Sequence, residues 1–198
     1  TQVANLPILR LAIEAKESIV LNDPKGEICR KTSYALKNKG YEVKVLDFKI
    51  TPFETSHDAL MPCGYKIDNN GTSITYATDL GVVSNEVFDN LILSDLVVLE
   101  SNYDETMLDF GKYPFTLKRR IKSSYGHLSN LDAASTILKL AQNGQENFVI
   151  AHMSENNNTI DIARNTIDSL LLQNGIDPNL LNITYATKSL SNEVIEVC

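Results

Sequence analysis

The sequence predicts an α/β protein whose mixed sheet carries its helices on the outside. Three observations support this. The opening residues alternate short apolar runs with a helical segment, Asn69-Asn70-Gly71 marks a hairpin, and from residue 84 onward helix-spaced segments alternate with short β-branched runs. In order, Leu6, Leu9 and Ile13 repeat at helical spacing, Ser18–Leu21 is a short strand, and Asp23-Pro24-Lys25-Gly26 turns the chain. Glu27–Asn38 follows as a helix that Gly40 ends, and Glu42–Phe48 alternates as a strand. Residues 1–48 therefore predict a β-α-β unit, which needs a larger sheet to pack on. Ile50–Phe53 is an apolar-edged strand. Gly64–Ile67 and Ser73–Tyr76 pair across the Asn-Asn-Gly turn, because left-handed turn positions accept Asn and Gly. Helices are predicted at Ser84–Ser94, Pro114–Ser123, Ser129–Gln142 and Thr159–Gln173, and strands at Asp95–Glu100, Asn147–Ala151 and Asn182–Ala186.

The size, 198 residues and 22.0 kDa, suits one main core, and 43% apolar with 22% charged residues fits a folded globular chain. The longest apolar runs, such as Leu96–Leu99, fall far short of the ~20 residues that cross a bilayer, so no membrane span is predicted. Thr1–Arg10 has no basic region ahead of an apolar stretch, so no export signal is expected. The formal charge of −7 has the wrong sign for nonspecific nucleic-acid binding. Against that background Lys112, Lys118, Arg119, Arg120 and Lys122 form a local basic cluster suited to a phosphate backbone, or to a solvated helix face. Cys29, Cys63 and Cys198 are odd in number and unlike any zinc or redox spacing, which points to free thiols in a reducing cytoplasm.

There are three histidines in the chain. His57 follows the strand Ile50–Phe53, Asp79 ends the second hairpin strand, and His152 ends the strand beginning at Phe148. Imidazole and carboxylate groups delivered by separate strand ends converge on one rim of a sheet, and they are the ligands Zn²⁺ or Mn²⁺ takes. The same positions also suit polar residues that merely terminate strands.

A set of ordered motifs adds to this. Ser56-His57-Asp58-Ala59 with Pro62-Cys63-Gly64-Tyr65, Ala77-Thr78-Asp79-Leu80-Gly81, Glu100-Ser101-Asn102-Tyr103-Asp104, Gly126-His127-Leu128-Ser129-Asn130 and Ala151-His152-Met153-Ser154-Glu155-Asn156-Asn157 follow one another over residues 49–186. They resemble the later motifs of metallo-β-lactamase-fold hydrolases, most closely the exonuclease-like YycJ or WalJ branch, related to ribonuclease Z. The resemblance implies an incomplete αββα fold over residues 49–198. It also implies that Asp79 bridges two metals, that His57 and His152 each bind one of them, and that the substrate is a nucleic-acid 5′ end or another phosphodiester. His127 is similar to the residue near the leaving group in ribonuclease Z, and Glu100 to its acidic partner, a pairing that orients an imidazole and raises its pKa.

Two departures stand beside these matches. The H-x-H-x-D-H motif that supplies four further ligands to the family is absent from this sequence, and Tyr103 stands where relatives often carry His. In its place, Glu17–Glu27 with Asp23-Pro24-Lys25-Gly26-Glu27, running on to Gly40-Tyr41-Glu42-Val43-Lys44-Val45-Leu46, resembles the segment after the Walker A loop of TraG-type conjugative coupling ATPases. The P-loop itself is missing, so nucleotide hydrolysis is not expected. The expectation is a chimera joined near Phe48, cytoplasmic, with an impaired hydrolase that binds Zn or Mn at one weak site at most. A noncatalytic chimeric α/β protein and an interaction fragment of a conjugative transfer protein are the alternatives.

Overall fold

A computed structural model describes residues 49–92 and 94–186, which lie within the second of two units of the chain, Phe48–Cys198. The β-α-β unit expected over residues 1–48 lies outside the described residues. Six strands form one sheet in sequence order: β1 (Lys49–Glu54), β2 (Cys63–Asn69), β3 (Thr72–Ala77), β4 (Leu96–Glu100), β5 (Asn147–Ala151) and β6 (Asn182–Tyr185). β1, β2 and β3 pair antiparallel, while β3 to β6 pair parallel. The sheet is mixed, as the sequence predicts. At the β2–β3 turn Asn70 and Gly71 have φ of 50° and 91°, the pair of left-handed residues that a tight two-residue hairpin turn requires.

The helices are α1 (Asn85–Ile92), α2 (Glu105–Phe110), α3 (Phe115–Ile121), α4 (Asn130–Gln142) and α5 (Ile160–Gln173). Small polar side chains start four of them, while α3 follows Pro114 without a side-chain cap. Ser84 Oγ accepts from the Val87 N–H at 3.2 Å, Asp104 from Met107 at 2.8 Å, Ser129 from Asp132 at 3.1 Å and Thr159 from Ile162 at 3.2 Å, each relieving one orphan donor of a first turn. α1, α4 and α5 bury Val87, Leu91, Ile137, Leu140, Ile167 and Leu171 in a core shared with Val97, Leu99, Phe148 and Ile150 of the sheet. β4 is buried along its whole length, which fits a central parallel strand.

This topology fixes where chemistry can occur. β3, β4 and β5 run the same way, and β1 joins them because both it and β3 oppose β2. The chain therefore leaves β1, β3, β4 and β5 on one rim, where ligands bind in open α/β sheets.

Candidate metal centre

His57, Asp79, Glu100 and His152 lie at or just beyond the ends of β1, β3, β4 and β5, and His127 enters from the loop before α4. The structure brings all five together. Asp79 is central: its Oδ1 lies 3.6 Å from His57 Nε2, 3.7 Å from His152 Nε2 and 3.8 Å from His127 Nδ1. These separations exceed hydrogen-bond lengths and are of the order that two donors keep across a shared ion, ~3–4 Å for bonds of about 2.0–2.2 Å. Neighbouring imidazole centroids stand 4.9 Å (His57–His127) and 5.3 Å (His127–His152) apart.

Two of the rings are held in the tautomer that a metal needs. His57 Nδ1 lies 2.8 Å from the Gly126 carbonyl oxygen, which only accepts, so the proton sits on Nδ1 and Nε2 offers its lone pair to the side of Asp79. His152 Nδ1 donates to Glu100 Oε2 at 2.8 Å and likewise turns Nε2 to Asp79. Tying back the second nitrogen in this way is how metal-binding histidines are oriented. The donor set thus fits a divalent ion. Asp79, Glu100, His127 and His152 each bring one nitrogen or oxygen atom to within 4.8 Å of the others.

Glu100 has another task in this group. It is fully buried, and its two oxygens accept four N–H groups: Leu128 N at 2.8 Å and His127 Nδ1 at 3.1 Å on Oε1, Asp79 N at 2.7 Å and His152 Nδ1 at 2.8 Å on Oε2. That saturates a carboxylate. Burial would push its pKa up, yet the hydrogen bonds from His127 and His152 and their charges outweigh it and leave the group below the usual carboxylate range. In return the hydrogen bond to Glu100 raises His152, against burial, with the charges of Glu100 and Asp79 adding to the rise. Register makes this possible: Glu100 pairs with Ala151 across β4 and β5, which sets His152 beside it.

Backbone geometry sharpens the positions. Asp79 and His152 have φ of 56° and 55°, left-handed conformations rare outside glycine. Asn102 Nδ2 donates to the His152 carbonyl at 2.8 Å, and the Ser154 N–H donates to the Asn102 carbonyl at 2.8 Å, so the Asn102 loop clamps the turn that carries His152. Beneath it, Ser101, Asn130 and Asn158 form a closed buried network: Ser101 Oγ to Asn130 Oδ1 at 2.6 Å, Asn130 Nδ2 to Asn158 Oδ1 at 2.9 Å, and Asn158 Nδ2 to the Ser101 carbonyl at 2.9 Å. The sequence displays Ser101 and Asn130 within its motifs and Asn158 just after the last of them, but their spacing carries no sign of the network. Tyr103, in the same loop, is buried rather than turned to the site.

Asp58 also belongs here. Its Oδ1 is 3.5 Å from His57 Nε2, and Arg120 grips it with both arms, Nη2 to Oδ1 at 2.8 Å and Nε to Oδ2. That guanidinium holds the Asp58 carboxyl down at about 2. The basic cluster is thereby partly committed to the fold. Lys118 Nζ donates to the carbonyls of Asp109 and Gly111 at 2.8 and 2.6 Å, and Lys122 Nζ pairs with Asp109 Oδ1 at 2.6 Å. Beside the histidines opens a cleft of about 780 Å³, lined among others by Asp79, His127, His152, Tyr113, Arg120 and Asn156.

Sheet and rim together define the class. The chain belongs to the β-lactamase superfamily: the Beta-lactamase superfamily domain matches residues 13–153. It is 35% identical to exodeoxyribonuclease YycJ of Bacillus anthracis over 129 residues, covering 65% of this chain and 49% of that protein. Against exodeoxyribonuclease WalJ of Streptococcus pneumoniae it is 34% identical over 127 residues, covering 64% of this chain and 47% of that protein. The chain spans about half the length of the curated relatives it matches. The metallo-β-lactamase fold protein YhfI of Bacillus subtilis shares the fold at a TM-score of 0.50 and 15% identity, over 75% of this chain and 50% of that one.

Proposed function

We propose that this chain is a metal-dependent phosphodiester hydrolase of the exonuclease type, acting on nucleic-acid ends. The observation that carries the reading is the Asp79 carboxylate among three imidazoles, two of which have their second nitrogen tied back. His57, Asp79 and His152 would hold Zn or Mn. When bound, such an ion polarises a phosphodiester and activates water. His127 keeps Nδ1 on Glu100, which orients the ring and leaves its other nitrogen for proton transfer to a leaving oxygen. Glu100 is the positioning residue behind both His127 and His152. The names of the YycJ and WalJ relatives support the substrate class.

The activity is impaired and the metal weakly held, because H-x-H-x-D-H is absent from the sequence and three ligands serve one ion rather than two. Residues 1–48 carry the resemblance to coupling ATPases, and from residue 13 onward they also fall inside the superfamily match. The sequence upstream in the gene tests whether they are a separate fragment: an H-x-H-x-D-H motif there speaks for one continuous domain. An odd number of cysteines, with Cys63 an exposed free thiol, supports a reducing, cytoplasmic setting. No helix among the described residues is long and apolar enough to cross a membrane.

The test is metal content together with turnover of bis(p-nitrophenyl) phosphate, comparing the chain with Asp79→Ala and His152→Ala. The expected result is no more than one ion per chain and slow turnover that both variants abolish. Two tightly held ions would overturn the assignment of an incomplete site, and absence of both metal and turnover would establish the noncatalytic alternative.

A further inference from the structure

Of the five clustered cations, Lys118, Arg120 and Lys122 are tied to Asp109, Gly111 or Asp58, whereas Lys112 and Arg119 have no partner among the described residues, and of these two Arg119 lies on α3. It sits one helical turn after Phe115, on the same face of α3. Phe115 is 76% exposed and Phe110, at the end of α2, is 88% exposed, which is unusual for two large aromatic rings separated by so short a loop. Phe115, Arg119, Lys118 and Lys122 line a shallow pocket of about 370 Å³ with Asp109, whose carboxylate is already matched by Lys122. Other residues of the helix, Leu117, Arg120 and Ile121, line the cleft beside the histidines instead. One short helix thus separates an aromatic and cationic pocket from the candidate metal centre.

We propose that this face of α2 and α3 is a docking surface for single-stranded nucleic acid, with a base stacked on Phe115 and a backbone phosphate held by Arg119. It deepens the hydrolase reading above and takes its substrate class from it. Each part of the surface has a reason. Bases of any sequence stack on an exposed ring, and a cation beside the ring captures the phosphate that follows. A paired strand hides its base faces, so duplex would be held less well. The surrounding protein is acidic, with a net charge of −7, so a strand elsewhere on it is repelled and the local cationic face selects the approach. A helix is ~10 Å across, roughly the length of three stacked nucleotides at ~3.4 Å each, so a strand anchored at Phe115 reaches the cleft with its end.

Fluorescence anisotropy of a short labelled oligo-dT, titrated with the full chain in the presence of chelator, tests this. Binding should be tighter than for a duplex of equal length. Phe115→Ala should weaken it about 5- to 150-fold, the range for loss of one base–aromatic stack, and Phe115→Tyr should retain it. Arg119→Ala should also weaken it and make the salt slope shallower by ~0.7, one phosphate on a single strand. Duplex bound equally well, or Phe115→Ala and Arg119→Ala binding as the parent does, would overturn the proposal. Failure of the hydrolase reading is seen separately, as absent turnover of bis(p-nitrophenyl) phosphate with oligo-dT binding intact.

Discussion

Glu100→Gln keeps the shape of the buried side chain and changes only its hydrogen-bonding sense, so its effect isolates what the carboxylate does. Whichever way the amide turns, one oxygen becomes an NH₂ group facing two donors. On the Oε1 side these are Leu128 N and His127 Nδ1, and on the Oε2 side Asp79 N and His152 Nδ1. The backbone N–H has no alternative and remains unsatisfied in a fully buried place, at about 1–3 kcal/mol. An imidazole can escape the clash by moving its proton, but for His152 that puts the proton on Nε2, the nitrogen that faces Asp79. If it does not move, the total rises to roughly 2–6 kcal/mol. Stability and metal affinity should therefore fall together. Urea unfolding should show a loss of at least about 1 kcal/mol, a fall in Tm of roughly 2–4 °C for each kcal/mol. Calorimetric titration with Zn²⁺ or Mn²⁺ should show about 10- to 100-fold weaker binding, as for other outer partners of metal-bound histidines. A variant within ~0.5 kcal/mol of the parent and with unchanged metal affinity would refute the view that Glu100 organises the site.

Two more outcomes follow from the same geometry. In Gly126→Ala the new Cβ would collide with the backbone carbonyl oxygens of Ile121 and Arg120, so the loop that accepts from His57 must shift; we expect about 1–3 kcal/mol of destabilisation by urea and weaker metal binding, whereas a neutral effect on both would show that the loop relaxes freely. Burial, with the charges of Asp132, Glu105, Asp109 and Glu100, pushes the Tyr103 hydroxyl up to about 12 from 10.0, so the stability it contributes is complete below pH 10 and is lost as pH rises to about 12; Tyr103→Phe should flatten stability over that window, and an unchanged slope would contradict the assignment.

Local pattern makes most of the architecture readable, since the strands and the four longer helices announce themselves by period and, for α1, α4 and α5, by Ser or Thr caps. α2 is not legible in this way because Glu105–Phe110 is barely more than one turn, although Asp104 caps it. His57, Asp79 and His152 are legible as strand ends. The contact of Glu100 with His152 is not, because it spans 52 residues and depends on the β4–β5 register. The basic cluster is visible as charge, but its engagement with backbone carbonyls is hidden, because a carbonyl acceptor has no residue type of its own.

The left-handed backbone at Asp79 gives natural drift a direction there. A side chain in that conformation carries strain of order 1 kcal/mol or more, which glycine would release. The Asp79 N–H would keep its bond to Glu100 in Asp79→Gly, since only the carboxylate is removed. A library selected for cellular abundance alone should therefore enrich glycine at this position, while one selected for hydrolysis should purge it. Opposite enrichments in the two selections at a single codon would distinguish a residue that the fold tolerates from one that the chemistry demands.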